Sequence, residues 1–264
     1  TGILLIDKPE GMTSFVAAAL PPNDGRVGHA GTLDPMATGV LPVLLGGATR
    51  FCELLPSHDK AYVASLRLGT VTDTLDITGE VLETREVNAS RADFESALQS
   101  FSGTIEQVPP MYSAISQNGV RLYKLARQGI EVERESRTVN ISSISLVGCD
   151  EKNGEYTISV ECSAGTYIRS LVADIGEKLG CGAVMTALRR TKANGFPIDG
   201  CITLDELAEL PLAQIRRGVG VGLVHARIAG GIHVVPHLVG EVGHLAEQAL
   251  AVLHVAGRVR NLAP

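Results

Sequence analysis

The spacing of apolar residues indicates the fold class of this chain. In segments 62–68 and 156–162 every second residue is Tyr, Ala, Leu, Ile, Val or Cys, which is the period of a strand with one buried face. Segment 168–179 instead repeats Ile, Leu and Val at helical spacing. Because strands and helices mix without a regular strand–helix–strand rhythm, the pattern predicts an α+β fold.

Shorter signals place further elements. The apolar run 3–6 predicts a buried strand that ends in a turn at 7–11, and Thr13 or Ser14 can cap a short helix after it. Residues 90–93 resemble a capping box at the start of a helix, and another capped helix begins at 203–206.

Composition limits the size of the core and leaves the partner open. The 264 residues suffice for a large domain with or without a small one. Because 45% of them are hydrophobic and 4% aromatic, we predict an ordered chain with an aliphatic core. The net charge of −6 argues against general attraction to nucleic acid, so only local patches can supply it. Basic residues cluster within 121–137 (Arg121, Lys124, Arg127, Arg134 and Arg137) and at Arg189, Arg190 and Lys192. Each cluster alone also fits a solvated surface.

Cysteine usage and hydropathy indicate the compartment. The five cysteines are odd in number, widely spread and form no Cys-x-x-Cys pair, which favours free thiols in a reducing compartment. No signal peptide opens the sequence, and the apolar stretch 219–235 is interrupted by His225, Arg227 and His233. We expect a soluble cytoplasmic protein with no membrane association.

The amino-acid composition changes near the end of the chain. Gly, Val and His dominate beyond about residue 213, and five of the seven histidines lie between His225 and His254. This change predicts a domain over 1–212 and a separate small domain over 213–264. His233 and His237 could share a helix face and bind a metal, but no further ligand has suitable spacing and Pro236 would disturb the helix, so we predict no metal site.

Asp34 is a candidate for chemistry within the Gly-rich segment 26–39, which is predicted to be an ordered loop. Pro35 disfavours helical geometry at Asp34, and the flanking glycines allow close approach by a backbone or a ligand. A carboxylate displayed in this way can be a nucleophile, a general base or a metal ligand. It can equally be a turn-forming residue that bonds nearby amides, which is the more frequent role.

Two further residues allow a functional and an ordinary interpretation. Arg169 stands in the first turn of the helix over 168–179, where a guanidinium can hold a carboxylate ionised or can simply be exposed with its stem packed on the sheet. Tyr62 begins a strand, where it can pack in the core or serve as a stacking platform for a base.

Seven motifs, in order along residues 2 to about 210, resemble those of the bacterial tRNA pseudouridine-55 synthases, the TruB family of pseudouridine synthases. They comprise 6–14, 27–41, 60–62 with 68–76, 107–115, 122–129, 162–169 and 187–191. The resemblance implies an α+β core with a mixed, mainly antiparallel sheet flanked by helices. The family usually ends in a small β-rich domain of the PUA type, and because residues 213–264 match none of its motifs, we expect a short or divergent PUA-like domain there. The resemblance also implies an inserted thumb over about 108–137 that grips the T-arm of tRNA.

The resemblance further implies the reaction and its residues. The enzyme would isomerise uridine 55 of tRNA to pseudouridine after flipping the base out of its stack, without metal or organic cofactor. Asp34 would be catalytic, Tyr62 would stack on the target base, and Arg169 would pair with Asp34. Substrate contacts or active-site lining would come from the matching positions Lys8, His29, Asp76, Tyr167 and Leu188.

Some features depart from the family or leave other functions open. Segment 15–25 has no basic residue where the family has several, and Phe15 stands at a position that is commonly polar. A non-catalytic tRNA-binding factor, a carboxylate glycoside hydrolase and a guide-RNA-dependent relative are the alternatives. The thumb-like segment favours the stand-alone bacterial type, which we expect to be a monomer with no obligatory protein partner.

Overall fold

The computed structural model describes residues 2–18, 26–55 and 57–209. Fourteen strands and five helices lie within these ranges. The strands are β1 Gly2–Lys8, β2 Val27–His29, β3 Thr38–Leu45, β4 Lys60–Leu68, β5 Thr70–Thr72, β6 Val81–Thr84, β7 Gly103–Gln107, β8 Ser116–Gln117, β9 Val120–Arg121, β10 Arg137–Asp150, β11 Glu155–Cys162, β12 Ala183–Ala193, β13 Phe196–Pro197 and β14 Ile202–Thr203. The helices are α1 Ser14–Ala18, α2 Arg91–Gln99, α3 Leu122–Ala126, α4 Ile168–Lys178 and α5 Leu204–Glu209, with 3₁₀ turns at Gly46–Leu54, Glu151–Asn153 and Ile198–Gly200.

The chain divides into two compact units. Of the described residues, the first unit takes those up to His58 and those from Arg190 to Glu209, and the second unit takes Asp59–Arg189. The predicted small domain over 213–264, its PUA-like fold and the histidines within it lie outside the described residues.

The first unit is built on strand β1. This strand runs antiparallel to β3, from the pair Gly2–Leu45 to the pair Lys8–Gly39, and parallel to the short strand β14. Strand β2 runs antiparallel to the last three residues of β3, from the pair Val27–Leu45 to the pair His29–Val43. The apolar side chains of β1 and β3 pack with those of α1 and α5 in one cluster: Leu4, Ile6, Ala18, Leu41, Val43, Leu45, Ile202 and Leu207. Burial on both sides of β1 explains why its sequence is a continuous apolar run.

The second unit is built on four antiparallel strands in the order β4-β11-β10-β7. Strand β11 pairs with β4 on one side and β10 on the other, and β10 also pairs with β7. The alternation predicted over 62–68 and 156–162 is confirmed, because Tyr62, Ala64, Leu66 and Leu68 are buried on β4, as are the alternate residues of β11. On the core face, the rings of Phe94 (from α2) and Tyr156 stack with centroids 4.0 Å apart.

Most of the predicted element starts are confirmed. The Thr13 hydroxyl accepts the amide of Val16 at the start of α1, and Ser90 and Asp93 form a full capping box before α2. Thr203 and Glu206 make the same reciprocal bonds at α5. The α+β class with a mixed, mainly antiparallel arrangement of strands is also confirmed.

Three details of the prediction are wrong. Strand β1 continues through Lys8, because β3 offers it a partner as far as Gly39. Segment 26–39 is not all loop, since residues 27–29 form β2 against β3. Leu179 lies beyond the end of α4 and is only half-buried, because the chain turns at Gly180 with φ +76°.

Candidate active site

Asp34 lies in the first unit, on the loop that joins β2 to β3. The side chain is half-buried, and its carbonyl accepts the amide of Ala37 at 3.0 Å, so Asp34 and Pro35 form a tight turn. The Pro35 carbonyl in turn accepts the amide of Gly11 at 2.9 Å. The loop is therefore ordered by bonds to neighbouring segments, as the sequence predicts.

Lys8 ends β1 directly beneath this loop. Its side chain is 0% exposed, and Nζ donates to the carbonyls of Pro9 at 2.7 Å and Pro35 at 3.2 Å. Burial lowers the pKa of Lys8 to about 8, against the attraction of the Asp34 and Glu10 carboxylates, which raises it. The Lys8 ammonium therefore places a positive charge near the Asp34 carboxylate.

His29 ends β2 on the same side of the first unit. Burial lowers its pKa, and the nearby charge of Arg190 acts in the same direction, so the neutral imidazole is favoured near neutral pH. Its Nδ1 atom is buried and has no hydrogen-bond partner within the described part of the chain. A neutral ring with an available nitrogen can bond a polar group of a ligand.

Arg169 lies in the second unit, in the first turn of α4. The residue is 5% exposed, so the alternative of an exposed arginine is wrong. Nη1 donates to the Thr74 carbonyl and Nη2 to the Tyr112 carbonyl, each at 2.8 Å, and Nε lies 3.7 Å from Oδ2 of Asp76. The structure thus brings together two residues that the sequence separates by more than ninety positions.

Asp76 is itself fixed by threonines. Its Oδ1 accepts bonds from the hydroxyl of Thr74 at 2.9 Å and from the amide and hydroxyl of Thr78 at 3.0 and 2.5 Å. The residue is buried, and its backbone forms an isolated bridge with Met185. These hydrogen bonds fix the position of the buried Asp76 side chain, which in turn lies against the Arg169 guanidinium.

The remaining candidates also lie in the second unit. Tyr62 is buried on β4, and Leu188 is buried on β12. Tyr167 is half-buried at the start of α4, where the side chain of Gln107 bonds both its amide, at 2.8 Å, and its carbonyl, at 3.1 Å. Lys8, His29 and Asp34 thus belong to one unit and the five other candidates to the other.

Two residues that fix the Asp34 loop are not among the site residues predicted from the sequence. Ser14 and Arg190 are both buried and bond the backbone of this loop. The sequence predicts Ser14 as a possible helix cap, and it predicts Arg190 as part of a surface cluster with Arg189 and Lys192. The surface interpretation is wrong for Arg190.

Metal and membrane features can be assessed over the same ranges. Among residues 2–18, 26–55 and 57–209, no group of three or more His, Cys, Asp or Glu side chains is placed to hold a metal ion. In this part of the chain no helix is long and apolar enough to cross a membrane. All five cysteines are free thiols, as predicted.

Comparison with known families settles the class of the protein. Residues 20–168 match the model of the TruB family pseudouridylate synthase N-terminal domain, and residues 169–217 match that of the tRNA pseudouridylate synthase B C-terminal domain. The chain belongs to the TruB family of pseudouridylate synthases. The resemblance seen in the seven motifs is thereby confirmed, as is the class of enzyme, an isomerase.

Individual TruB relatives agree with this assignment. The chain is 50% identical to the tRNA pseudouridine synthase B of Pseudomonas syringae pv. syringae (strain B728a) over 213 residues, which are 80% of this chain and 69% of that protein. It is 48% identical to the protein of the same name from Aromatoleum aromaticum (strain DSM 19018 / LMG 30748 / EbN1) over 221 residues, 83% of this chain and 71% of that one.

Solved structures show the same fold as this TruB chain. A chain of a Cbf5–Nop10–Gar1 complex is 33% identical with a TM-score of 0.58, and covers 78% of this chain. A chain of an H/ACA RNP bound to a substrate RNA containing 2′-deoxyuridine is 27% identical with a TM-score of 0.55, and covers 83%. This chain spans 53% and 56% of their respective lengths, about half.

Proposed function

We propose that this chain converts uridine to pseudouridine in tRNA, at position 55 of the T-arm. The observation that carries the proposal is its 50% identity, over 80% of its length, to a protein named tRNA pseudouridine synthase B. The position and the stem-loop context come from the motif resemblance. The thumb-like segment 108–137, which contains β8, β9 and α3, would grip the T-arm through its basic residues.

Asp34 is the proposed catalytic residue. The reaction breaks the bond between N1 of uracil and the ribose, turns the base and joins C5 to the same sugar carbon. An ionised Asp34 can act on the sugar or the base, and both routes need a carboxylate of fixed position. The ordered turn at Asp34–Pro35 and the adjacent Lys8 ammonium support that role.

Arg169 and Tyr62 complete the proposed catalytic set. Arg169 is held by the Thr74 and Tyr112 carbonyls and Asp76, so the position of its positive charge is fixed. Its pairing with Asp34 and its hold on the flipped nucleotide rest on the resemblance. Flipping the target base out of its stack costs about a few kcal/mol. Tyr62 would stack on the flipped base, and this contact would offset about 1–3 kcal/mol of that cost. The burial of Tyr62 is also typical of core packing, so its stacking role rests on the resemblance.

The remaining matched positions are the proposed substrate contacts. Lys8 and His29 offer an ammonium beside the Asp34 turn and a buried ring nitrogen without a partner among the described residues. Asp76 would act through Arg169, whereas Tyr167 and Leu188 would line the site as apolar surfaces.

The domain organisation, compartment and partners that we propose are those predicted from the sequence. We assign catalysis to residues 1–212 and a separate small domain to residues 213–264. We further propose that the protein acts as a cytoplasmic monomer, without metal, organic cofactor or obligatory protein partner.

Release of tritium from a T-arm hairpin labelled at C5 of uridine tests the proposal, because C5 loses its hydrogen when it bonds to the ribose. We expect release by wild type, none from a hairpin with labelled uridine elsewhere and cytidine at the target, and none by Asp34→Asn. Asp34→Asn should still bind the hairpin. Turnover by Asp34→Asn would remove Asp34 from catalysis, and lack of release by wild type would favour a non-catalytic tRNA-binding factor.

A second candidate is catalysis only within a ribonucleoprotein. The 33% identity to a chain of the Cbf5–Nop10–Gar1 complex favours it. The assay separates the two, because a stand-alone enzyme modifies the hairpin with no other protein or RNA present. Activity that appears only after cell extract is added would support the second candidate.

A further inference from the structure

Arg190 is buried in the first unit against the loop that carries Asp34. The residue is 0% exposed, and its guanidinium donates to three backbone carbonyls: from Nε to Val40 at 2.8 Å, from Nη2 to Gly31 at 3.0 Å and from Nη1 to Thr32 at 3.4 Å. Two of these carbonyls precede Asp34 in the chain and one follows it. A single side chain therefore joins both arms of the Asp34 loop.

Burial of the Arg190 cation indicates that the loop needs an arginine at this position. Arginine stays charged at all ordinary pH values, so its removal from water is costly and only well-directed hydrogen bonds offset the loss. The planar guanidinium points its N–H groups in fixed directions. A lysine in the same place would offer one donor group at one point, so it could not hold the three carbonyls together.

The backbone of Arg190 also touches the loop. At Gly39 φ is +105°, and a Cβ built there would overlap the Arg190 carbonyl oxygen and lie 2.8 Å from its nitrogen. The end of the loop is thus pressed onto the strand segment that carries Arg190. Contact by backbone and side chain together leaves this arm of the loop little freedom.

Ser14 holds the loop at the residue before Asp34. Its hydroxyl accepts the amide of Leu33 at 2.8 Å and donates to the Leu33 carbonyl at 3.0 Å, and the side chain is buried. A hydroxyl can donate and accept at once, so one side chain bonds both polar groups of Leu33. Ser14 therefore fixes the peptide bond that precedes Asp34, and Pro35 restricts the residue that follows it.

We propose that Arg190 and Ser14 are positioning residues for Asp34. They hold the loop backbone so that the carboxylate is already in place before RNA binds, and Arg190 makes no contact with RNA. The inference rests on the proposed function of Asp34. It carries weight because misplacement of a catalytic group by 1 Å can reduce the rate about 100-fold.

The experiment compares the full-length variants Arg190→Gln and Ser14→Ala with Arg67→Gln. Arg67 is an exposed arginine paired with Glu155 at 2.9 Å, so its variant controls for the loss of an arginine. Single-turnover tritium release gives the rate of the chemical step, hairpin titration gives Kd, and hydrogen–deuterium exchange reports on the amides of Leu33 and Ala37. We expect Arg190→Gln to react about 100-fold more slowly than wild type, and Ser14→Ala about 10-fold.

A positioning role requires a particular combination of results. Kd for the hairpin should match wild type in both variants, and the amides of Leu33 and Ala37 should exchange faster than in Arg67→Gln. If Arg190→Gln raises Kd and reduces its salt dependence while the saturated rate is unchanged, Arg190 is an RNA contact and the proposal is overturned. An unchanged rate with unchanged exchange overturns it as well.

Further measurements test the role of Arg190 and Ser14 if Arg190→Gln does not fold or if wild type is inactive. If Arg190→Gln does not fold, Ser14→Ala tests the same loop at Leu33. Arg190→Lys should show an intermediate rate, because the charge and one bond remain. If wild type releases no tritium, the proposed function fails, and amide exchange alone then decides whether the two residues hold the loop.

Discussion

A single buried lysine shows how residue-level electrostatics operate in this molecule. Lys8 is placed by β1 at the turn of the Asp34 loop, where two carbonyls bond its Nζ. Burial lowers the pKa of Lys8 from 10.5 to about 8, although Asp34 and Glu10 attract the charged form. The folded protein therefore keeps the ammonium at neutral pH at the expense of stability.

This displacement predicts a pH-dependent stability. Below pH 8 both the folded and the unfolded chain hold the Lys8 proton, and the burial penalty is present in full. Between pH 8 and 10.5 the unfolded chain still binds a proton that the folded chain has released, so unfolding becomes less favourable as pH rises. Relative to Lys8→Met, the wild-type free energy of unfolding should rise by up to about 1.4 kcal/mol per pH unit in this window.

Urea unfolding of both proteins at several pH values from about 7 to 10 measures this difference. Lys178→Met, at an exposed position on α4, is the matched control for loss of a lysine. A difference between wild type and Lys8→Met that does not change with pH would contradict the prediction.

At the scale of elements, α4 shows tertiary packing overruling helix propensity. Gly176 lies inside this helix, where alanine is favoured over glycine by about 1 kcal/mol. A Cβ at Gly176, however, would overlap the backbone of Gly182 and Ala183 at the start of β12. Glycine is required because the turn after α4 returns the chain directly against the helix.

We therefore expect Gly176→Ala to destabilise the protein. Overpacking against backbone costs about 1–3 kcal/mol, which exceeds the gain in helix propensity. Gly148→Ala is the matched control, since a Cβ there would lie 3.7 Å from its nearest neighbour, at ordinary contact distance. Thermal unfolding should show a lower Tm for Gly176→Ala than for Gly148→Ala, and the reverse order would contradict the packing argument.

At the scale of the whole molecule, charge distribution matters more than net charge. The chain carries −6, yet the proposed substrate is a polyanion. Binding must therefore rely on local basic surfaces such as that of α3 and its two flanking residues, where Arg121, Lys124 and Arg127 are exposed. Arg127 also lies over the ring of Tyr123, with its Cζ 5.5 Å from the centroid.

Lys124→Ala should weaken hairpin binding and lower the dependence of log Kd on log salt by about one unit, because one phosphate contact is lost. The rate at saturating RNA should remain at the wild-type value, since the lysine acts only in binding. Fluorescence titrations at four salt concentrations measure the slope, and Lys152→Ala, at an exposed turn, is the control. An unchanged slope in Lys124→Ala would show that α3 does not contact the RNA backbone.

Local pattern was sufficient wherever one residue type has one physical role. The alternation on β4 and β11 required a buried face, and the Ser90–Asp93 box required a helix start. It was insufficient for arginines. Arg169 and Arg190 are buried while Arg189 is exposed, and the residue type alone does not distinguish them.

The amino-acid sequence by itself determined the α+β class, the strand and helix periods, the free thiols and membership of the TruB family, because short-range periodicity and ordered motifs carry that information. Only the tertiary structure decided which charged groups are buried and what they bond. The carbonyls that bond Arg190 lie about 150 residues away from it in the sequence. Desolvation and hydrogen bonding depend on such distant neighbours, which no local pattern records.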